Sequence, residues 1–263
     1  MTRSKSQLIN APGVAGRRTS IISRVKTRVS AADIPGAAGR AISAADAVEA
    51  MDEELGEGVF KTVDEAVAAA RRAFASYQSL GLDRRKVIIE AIRSSMRAEN
   101  ERLAYMARQE TGIGRADDKI LKNSLVIERT PGPEDLEPQV VTGDRGMMVT
   151  EFAPYGVIGA ITPTTNPTST IINNSIAMVS AGNAVTFNVH PNARRVSVEN
   201  IQILNRAVVA AGGPANLSTA IPNPTLESAK ELMNHPDARV LLVTGGPGVV
   251  KEALRTSKKA ITA

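Results

Sequence analysis

The hydrophobic pattern divides the chain into two regions that predict different structures. Between about residues 61 and 128, apolar residues recur every three or four positions, which is the spacing of amphipathic helices. Three helices are predicted there, over about 61–78, 83–108 and 117–128. Thr62 and Glu65 have the spacing of a capping box, so the first helix is predicted to begin directly after Thr62.

The second of these helices is predicted to be amphipathic, and it either continues to residue 108 or restarts at residue 100. Ile88, Ile92 and Met96 lie four residues apart, so they are predicted to face the core. The basic residues between them are predicted to face water: Arg85, Arg93 and Arg97.

Prolines and glycines mark the connection to the second region. Pro131, Pro133 and Pro138 exclude a regular element between them. Residues 139–153 then place two apolar stretches on either side of the segment Gly143–Gly146, and this pattern predicts a β-hairpin.

From Pro154 onward, short apolar runs alternate with helical stretches. Four runs have the composition of buried parallel strands: 157–161, 184–189, 217–221 and 240–243. Helices are predicted after each of them: about 168–180, 193–211, 225–234 and 248–256. The alternation predicts an α/β fold with a doubly wound parallel sheet. Ligands of such sheets bind at the carboxyl ends of the strands, which here are followed by residues 162–166, 190–191, 222 and 244–248.

The charge of the chain is concentrated at its beginning. Residues 1–40 contain eight basic side chains and one acidic side chain, whereas the whole chain has a net charge of only +5. This segment lacks apolar periodicity and is predicted to be a disordered tail, although its composition also fits a transit peptide. Residues 41–57 are predicted to form a short amphipathic helix, and residues 58–263 a single domain.

Composition excludes several classes of function. The chain has no cysteine, so it contains neither a disulfide nor a cysteine nucleophile, and two histidines leave little for a histidine-based metal site. No run of 18 apolar residues predicts a membrane span. Nucleic-acid binding is not predicted either, because the basic charge belongs to the tail and only 3% of the residues are aromatic.

The glycine-rich segments allow two interpretations. Thr244–Gly248 connects a predicted strand to a predicted helix, so its backbone amides could bind a phosphate, or it could be a tight turn without a ligand. Ala211–Pro214 is typical of a helix C-cap. No G-x-G-x-x-G segment follows the first parallel strand, and His235, which precedes a proline in a loop, is predicted to be an ordinary surface residue.

Several motifs occur in an order that resembles the CoA-acylating branch of the aldehyde dehydrogenase family. The most specific is Pro-Thr-Thr-Asn-Pro within Thr162–Thr168, which follows Ala153–Gly159. The other matching segments are Ala181–Ala184, His190–Ala193, Ala210–Pro214 and Val243–Gly246. The resemblance extends from about Gly58 to the end of the chain.

The resemblance implies an NAD-dependent oxidation of a short-chain aldehyde. In the family, a cysteine thiolate adds to the aldehyde, a hydride passes to NAD, and CoA takes the acyl group. The resemblance also implies that NAD and CoA share one adenine pocket beside His190. The implied cofactor-binding residues are Thr162, Pro163, Thr164, Asn166, His190, Pro191, Gly213, Thr244, Gly245, Gly246 and Val249. Thr165 or Asn166 is implied as the hydrogen-bond donor to the developing oxyanion.

The family's catalytic cysteine lies beyond the position at which this sequence ends. We therefore expect the chain to be the N-terminal, cofactor-binding half of such an enzyme, without the catalytic domain and inactive alone. The alternative is a non-catalytic nucleotide-binding or assembly module that pairs with a complementary fragment, with full-length subunits or with a microcompartment shell. The chain is expected to form a homo-oligomer through the hairpin. Its expected location is the cytoplasm or a bacterial microcompartment, and residues 41–55 would be the encapsulation tag for the microcompartment.

Overall fold

A computed structural model describes residues 55–263. The predicted tail and all but the last residues of the predicted helix over 41–57 lie outside the described residues. The first region contains three helices, as predicted: α1 (Val63–Tyr77), α2 (Leu82–Thr111) and α3 (Ala116–Arg129). Thr62 and Glu65 form the predicted capping box at the start of α1, with the Glu65 amide 3.2 Å from Thr62 Oγ1.

The helix α2 is one continuous element of 30 residues. It does not restart at Asn100, whose buried side chain instead donates from Nδ2 to the Ile120 carbonyl and to Ser124 Oγ on α3. It ends at Gly112, whose φ of +70° places the C-cap in the left-handed region that favours glycine.

The predicted hairpin is present as strands β1 (Gln139–Gly143) and β2 (Gly146–Thr150). The strands are antiparallel, and Gly143 pairs with Gly146 across a two-residue turn. Every residue of both strands is exposed. The hairpin therefore contributes nothing to the core of the described domain.

The second region forms a five-stranded parallel sheet. Its strands are β3 (Val157–Ile161), β4 (Ala184–Asn188), β5 (Ser218–Ala220), β6 (Ala238–Val243) and β7 (Lys259–Thr262). The connecting helices are α4 (Pro167–Ser180), α5 (Arg194–Ala210), α6 (Leu226–Asn234) and α7 (Pro247–Leu254). The strand order is β5-β4-β3-β6-β7. Strands β4 and β5 are added on one side of β3 and strands β6 and β7 on its other side, so the strand order reverses between β3 and β6. The predicted doubly wound sheet is confirmed.

The helices cover both faces of this sheet. On one face, α4 and α5 pack against the strands, and α2 and α3 form a further layer outside them. On the other face, α1 contacts β3, β4 and β5 and also packs against α6. Both faces of β3 and β4 are consequently buried, which explains the continuous apolar runs in these strands.

Arg93 corrects the prediction that the basic residues of α2 face water. Its side chain is buried, with the residue 7% exposed, and it donates to the carbonyl oxygens of Ile127 and Thr130. These carbonyls lie at the C-terminal end of α3, where no further helical turn supplies N–H donors. The buried guanidinium therefore supplies the missing donors and caps the C-terminal end of α3. Arg97 is exposed, as predicted.

His235 is a second correction, because it is not an ordinary surface residue. Its side chain is 10% exposed, and Nε2 lies 3.1 Å from Asp64 Oδ1 on α1. Its Nδ1 accepts a hydrogen bond of 3.2 Å from the Asp237 amide. The ring therefore links the loop before β6 to the start of α1.

Candidate functional site

A cavity of about 800 Å³ opens at the carboxyl edge of the sheet. It lies between the loops that follow β3 and β6, where the strand order reverses, and this position is the usual ligand site of a doubly wound sheet. The structure brings nearly all of the sequence-predicted site residues to its lining: Thr162, Pro163, Thr164, Thr165, Asn166, His190, Pro191, Thr244, Gly245, Gly246 and Val249.

Gly213 is the predicted site residue that does not reach the cavity. It follows the C-terminal end of α5, where its amide donates to the Val208 carbonyl at 2.8 Å. Crossover helices run back from the carboxyl edge of the sheet, so α5 ends at the opposite edge. Gly212 has a φ of +75°, and its amide donates to the Val209 carbonyl. These bonds confirm the predicted helix C-cap.

Two threonine hydroxyls of the loop after β3 are buried without a hydrogen-bond partner. They are Thr162 Oγ1 and Thr164 Oγ1, and Thr162 is only 2% exposed. A buried hydroxyl without a partner costs about 1–3 kcal/mol. Both residues line the cavity, so a polar ligand there could satisfy them. These two hydroxyls therefore fit a bound cofactor.

Two lysines of α3 hold the same loop from outside the cavity. Lys119 Nζ donates to the Thr165 carbonyl at 3.0 Å, and Lys122 Nζ donates to Asn166 Oδ1 at 3.1 Å. Burial lowers the pKa of Lys119, and the nearby charge of Lys122 lowers it further. Because Lys122 binds the oxygen of the Asn166 amide, the amide N–H groups are the part of that side chain left for a ligand.

The loop after β4 places one imidazole at the cavity. His190 Nδ1 accepts a hydrogen bond of 3.1 Å from the Asn192 amide, so the ring proton of the neutral form is on Nε2. The next helix, α5, is capped from a distant element: the Glu110 carboxylate accepts from the amides of Arg195 and Val196, at 2.9 and 2.8 Å. Glu110 thus fixes the segment that carries His190.

The glycine-rich loop after β6 forms the third wall. The Thr244 amide donates to the Ile161 carbonyl at 3.0 Å, which joins this loop to the end of β3. A side chain at Gly245 would approach Val249 Cγ1 to 2.8 Å, so any larger residue would require the Val249 side chain to shift. The helix α7 begins next, and no side chain caps its N-terminus. Its free amides are suited to a phosphate.

The sequence interpretation missed several lining residues: Asn188, Thr225, Leu226 and Ala229. Asn188 Oδ1 accepts from Ser228 Oγ at 2.6 Å, which ties the end of β4 to the first turn of α6. Thr225 and Ser228 form a capping box. The threonine before the apolar residues of α6 is the available sequence signal, since serine replaces the Glu or Gln that usually completes a capping box. That signal locates the start of α6 and hence this wall of the cavity.

Residues 55–263 have the features of neither a metal centre nor a membrane-spanning helix. This range contains no group of three or more histidine or acidic residues placed to hold a metal ion. Its helices include none with the length and apolar character needed to cross a lipid bilayer.

The fold and the cavity define a doubly wound α/β domain with a ligand-sized cavity at the point where the strand order reverses. The sequence model of the aldehyde dehydrogenase family matches residues 52–263, so the chain belongs to this family. Its relatives include CoA-acylating members. The propanal dehydrogenase (CoA-propanoylating) of Salmonella typhimurium is 43% identical over 208 residues, which are 79% of this chain and 45% of that protein. The chain thus spans about half the length of the curated relatives it matches.

Solved structures of CoA-acylating relatives have the same fold. Propionaldehyde dehydrogenase of Rhodopseudomonas palustris, with bound CoA and an acylated cysteine, matches 80% of this chain and 48% of its own, at 44% identity and a TM-score of 0.77. An engineered glycolyl-CoA reductase with bound NADP⁺ matches 80% of this chain and 48% of its own, at 43% identity and a TM-score of 0.77. The propionaldehyde dehydrogenase of a Clostridium phytofermentans microcompartment covers 78% of this chain and 47% of its own, at 46% identity and a TM-score of 0.76.

Proposed function

We propose that residues 58–263 are the cofactor-binding half of an NAD-dependent, CoA-acylating aldehyde dehydrogenase. The whole enzyme would convert a short-chain aldehyde, CoA and NAD into acyl-CoA and NADH. The observation that carries this proposal is the convergence of three predicted loops on one cavity at the reversal point of the sheet. The names of the relatives support aldehyde and CoA as substrates.

Each loop has a distinct role in this proposal. Thr244–Gly246 and the start of α7 would bind the pyrophosphate, with Val249 beneath it, because free amides at a helix N-terminus favour an anion. His190 would donate from Nε2 to the ribose of NAD or of CoA, beside Pro191. The cofactor supplies the hydride acceptor when bound, and its nicotinamide end would lie along Thr162–Asn166.

Either Thr165 or Asn166 would face the developing oxyanion. The Lys122 contact supports Asn166, since it leaves the amide N–H groups for the ligand. The Thr165 residue is exposed, and its carbonyl is bound by Lys119. A preorganised donor of this kind stabilises charge that develops in a transition state.

Nucleotide binding by this chain tests the proposal. We expect calorimetry to show that ADP and NAD bind with similar affinity. The residues proposed to bind adenosine and pyrophosphate line the cavity, whereas Thr165, at the proposed nicotinamide end, is exposed to water, so the nicotinamide should add little affinity. His190→Ala should weaken both ligands about tenfold, as expected for one lost hydrogen bond.

The second histidine of the chain supplies the matched control. His235 contacts Asp64 and lies outside the cavity lining, so His235→Ala should leave ADP affinity unchanged. A chain that binds neither ADP nor NAD, or equal losses in both variants, would refute the proposed site.

The exposed hairpin favours the alternative role in assembly, and both roles are compatible in one chain. Large apolar side chains of β1 and β2 are more than half exposed: Val140, Val141, Met147, Met148 and Val149. Exposed apolar patches of this kind mark interaction surfaces. We propose that the hairpin joins copies of this chain into a homo-oligomer, and the microcompartment relative supports a similar cellular location.

Light scattering after gel filtration tests the hairpin. The chain should have the mass of an oligomer, and the double variant Val141→Asp, Met148→Asp should have the mass of a monomer, because these two residues are paired across the hairpin. Ser94→Asp, at an exposed position of α2 outside the hairpin, is the control and should keep the oligomer. A monomeric parent chain, or a double variant of unchanged mass, would rule this surface out.

A further inference from the structure

A second cavity, of about 330 Å³, lies at the edge of the sheet opposite the larger cavity. Ala181 lines it, and this residue follows α4, which runs from the carboxyl edge of the sheet back to the amino edge. The loop between α1 and α2 forms one wall, and the segments directly before β1 and after β2 form another. The volume lies at the lower end of the range for small-molecule sites, which is about 300–1,000 Å³.

The lining of the second cavity combines apolar walls with two charged side chains. Its apolar residues include Leu80, Leu82, Leu136, Pro138 and Phe152. Its charged residues are Arg85 and Glu151. Pockets of this composition bind ligands that are mostly apolar and carry a polar group, which the few polar side chains orient.

Packing holds the Arg85 side chain in the wall of this cavity. The pattern of α2 predicted that Arg85 faces water, but the residue is half-buried. Its Cζ lies 5.5 Å from the centre of the Tyr77 ring, and a Cβ at Gly182 would approach Nη1 to 2.8 Å. Contact with an aromatic face on one side and with backbone on the other fixes the orientation of the planar guanidinium.

The Arg85 guanidinium has no counter-ion. Within residues 55–263 it forms neither a hydrogen bond nor an ion pair, and its Nε is buried. Burial raises the pKa of Tyr77, so that hydroxyl stays neutral and does not supply the negative charge. A half-buried cation without a partner is stabilised by an anionic acceptor, and a carboxylate matches the fork of N–H donors that arginine presents.

Glu151 has the opposite charge but does not neutralise Arg85. Its side chain is exposed and forms no ion pair with Arg85, although both residues line the cavity. Exposed charges interact weakly in water, whereas a half-buried charge is screened less. We therefore expect Arg85, rather than Glu151, to determine the charge of the ligand.

We propose that the second cavity is a binding site for a free short-chain carboxylic acid. Arg85 would bind the carboxylate, and the leucines and Phe152 would surround the apolar tail. The inference goes beyond the proposed function and does not depend on it, because the two cavities have no lining residue in common.

Ligand-observed NMR titrations of the full chain test this site with matched probes. Hexanoate, hexylamine and 1-hexanol have the same tail and differ in the head group. Hexanoate should bind about tenfold more tightly than either of the others, a difference of about 1.4 kcal/mol. Propanoate should bind more weakly than hexanoate, because each buried methylene contributes about fourfold in affinity.

Variants assign the binding to one side chain. Arg85→Gln should weaken hexanoate about tenfold, and Arg85→Lys, which keeps the charge but not the fork, should retain part of the affinity. Arg84→Gln is the matched control, because it removes the same charge from an exposed neighbour that does not line the cavity, and hexanoate should bind it unchanged.

Glu151→Gln tests the site without altering a buried group, so it remains informative if Arg85→Gln fails to fold. Loss of the repelling charge should tighten hexanoate by about threefold. The inference is wrong if hexanoate does not bind, if hexylamine binds as tightly, or if Glu151→Gln weakens hexanoate. Equal effects of Arg84→Gln and Arg85→Gln would also overturn it. Each of these results leaves ADP binding by the larger cavity, and hence the proposed function, untouched.

Discussion

Arg93→Met is expected to lower the free energy of unfolding by about 3 kcal/mol. The methionine keeps most of the buried volume, but it removes the donors to the Ile127 and Thr130 carbonyls. Each buried carbonyl that loses its partner costs about 1–3 kcal/mol. Urea denaturation followed by circular dichroism measures the loss, with the slope of the transition checked for two-state behaviour.

Arg97→Met is the matched control, four residues further along the same helix. Arg97 pairs with Glu90 and Glu128, but all three side chains are substantially exposed. Exposed ion pairs contribute about 0–1 kcal/mol, so this variant should cost at most about 1 kcal/mol. Equal losses in the two variants, or a loss below about 1 kcal/mol for Arg93→Met, would contradict the assigned capping role.

The difference between these two arginines shows where the sequence stops being informative. Apolar residues at four-residue spacing identify one buried face of α2, and Ile88, Ile92 and Met96 are indeed buried. However, α2 packs against α3, α4 and α5, so its buried stripe is wider than one face and includes Arg93. The residues that require this arginine are more than 30 positions away, and no local pattern predicts them.

The sheet was predictable for a different reason. Val157–Ile161 and the runs like it are buried on both faces, and such strands leave a continuous apolar signal between glycines and prolines. Alternation with helices then fixes which loops share the carboxyl edge, so the cavity could be located without any contact information. The same topology places Gly213 at the opposite edge, and only the resemblance suggested it as a site residue.

The side chains that hold the loops of the cavity in place could not be predicted from local patterns. Glu110 caps a helix that begins 84 residues later, and Lys119 and Lys122 reach a loop on another element. These contacts depend on how α2 and α3 pack across α4 and α5. Their sequence signal is weak, since charged residues on helices are ordinarily solvated.

Purified chain is expected to form no NADH from propanal, CoA and NAD above the rate without protein. The family chemistry implied by the resemblance begins with a cysteine thiolate that adds to the aldehyde, and this chain contains no cysteine. Its serines and threonines are poor substitutes, because a hydroxyl needs an adjacent general base to act as a nucleophile. Thr162 Oγ1 and Thr164 Oγ1 have no hydrogen-bond partner in the described structure, so no base activates them.

The assay is informative only if the same preparation binds nucleotide. Calorimetry with ADP on that preparation supplies the control, because a misfolded chain would lose both binding and turnover. With binding present, a rate at background supports a cofactor-binding half that requires a thiolate from elsewhere. Aldehyde-dependent and CoA-dependent NADH formation whose KM for NAD is unchanged by His190→Ala would come from a contaminating enzyme. Turnover whose KM for NAD rises about tenfold with His190→Ala would instead show that the chain itself is catalytic, and the requirement for a cysteine would be wrong.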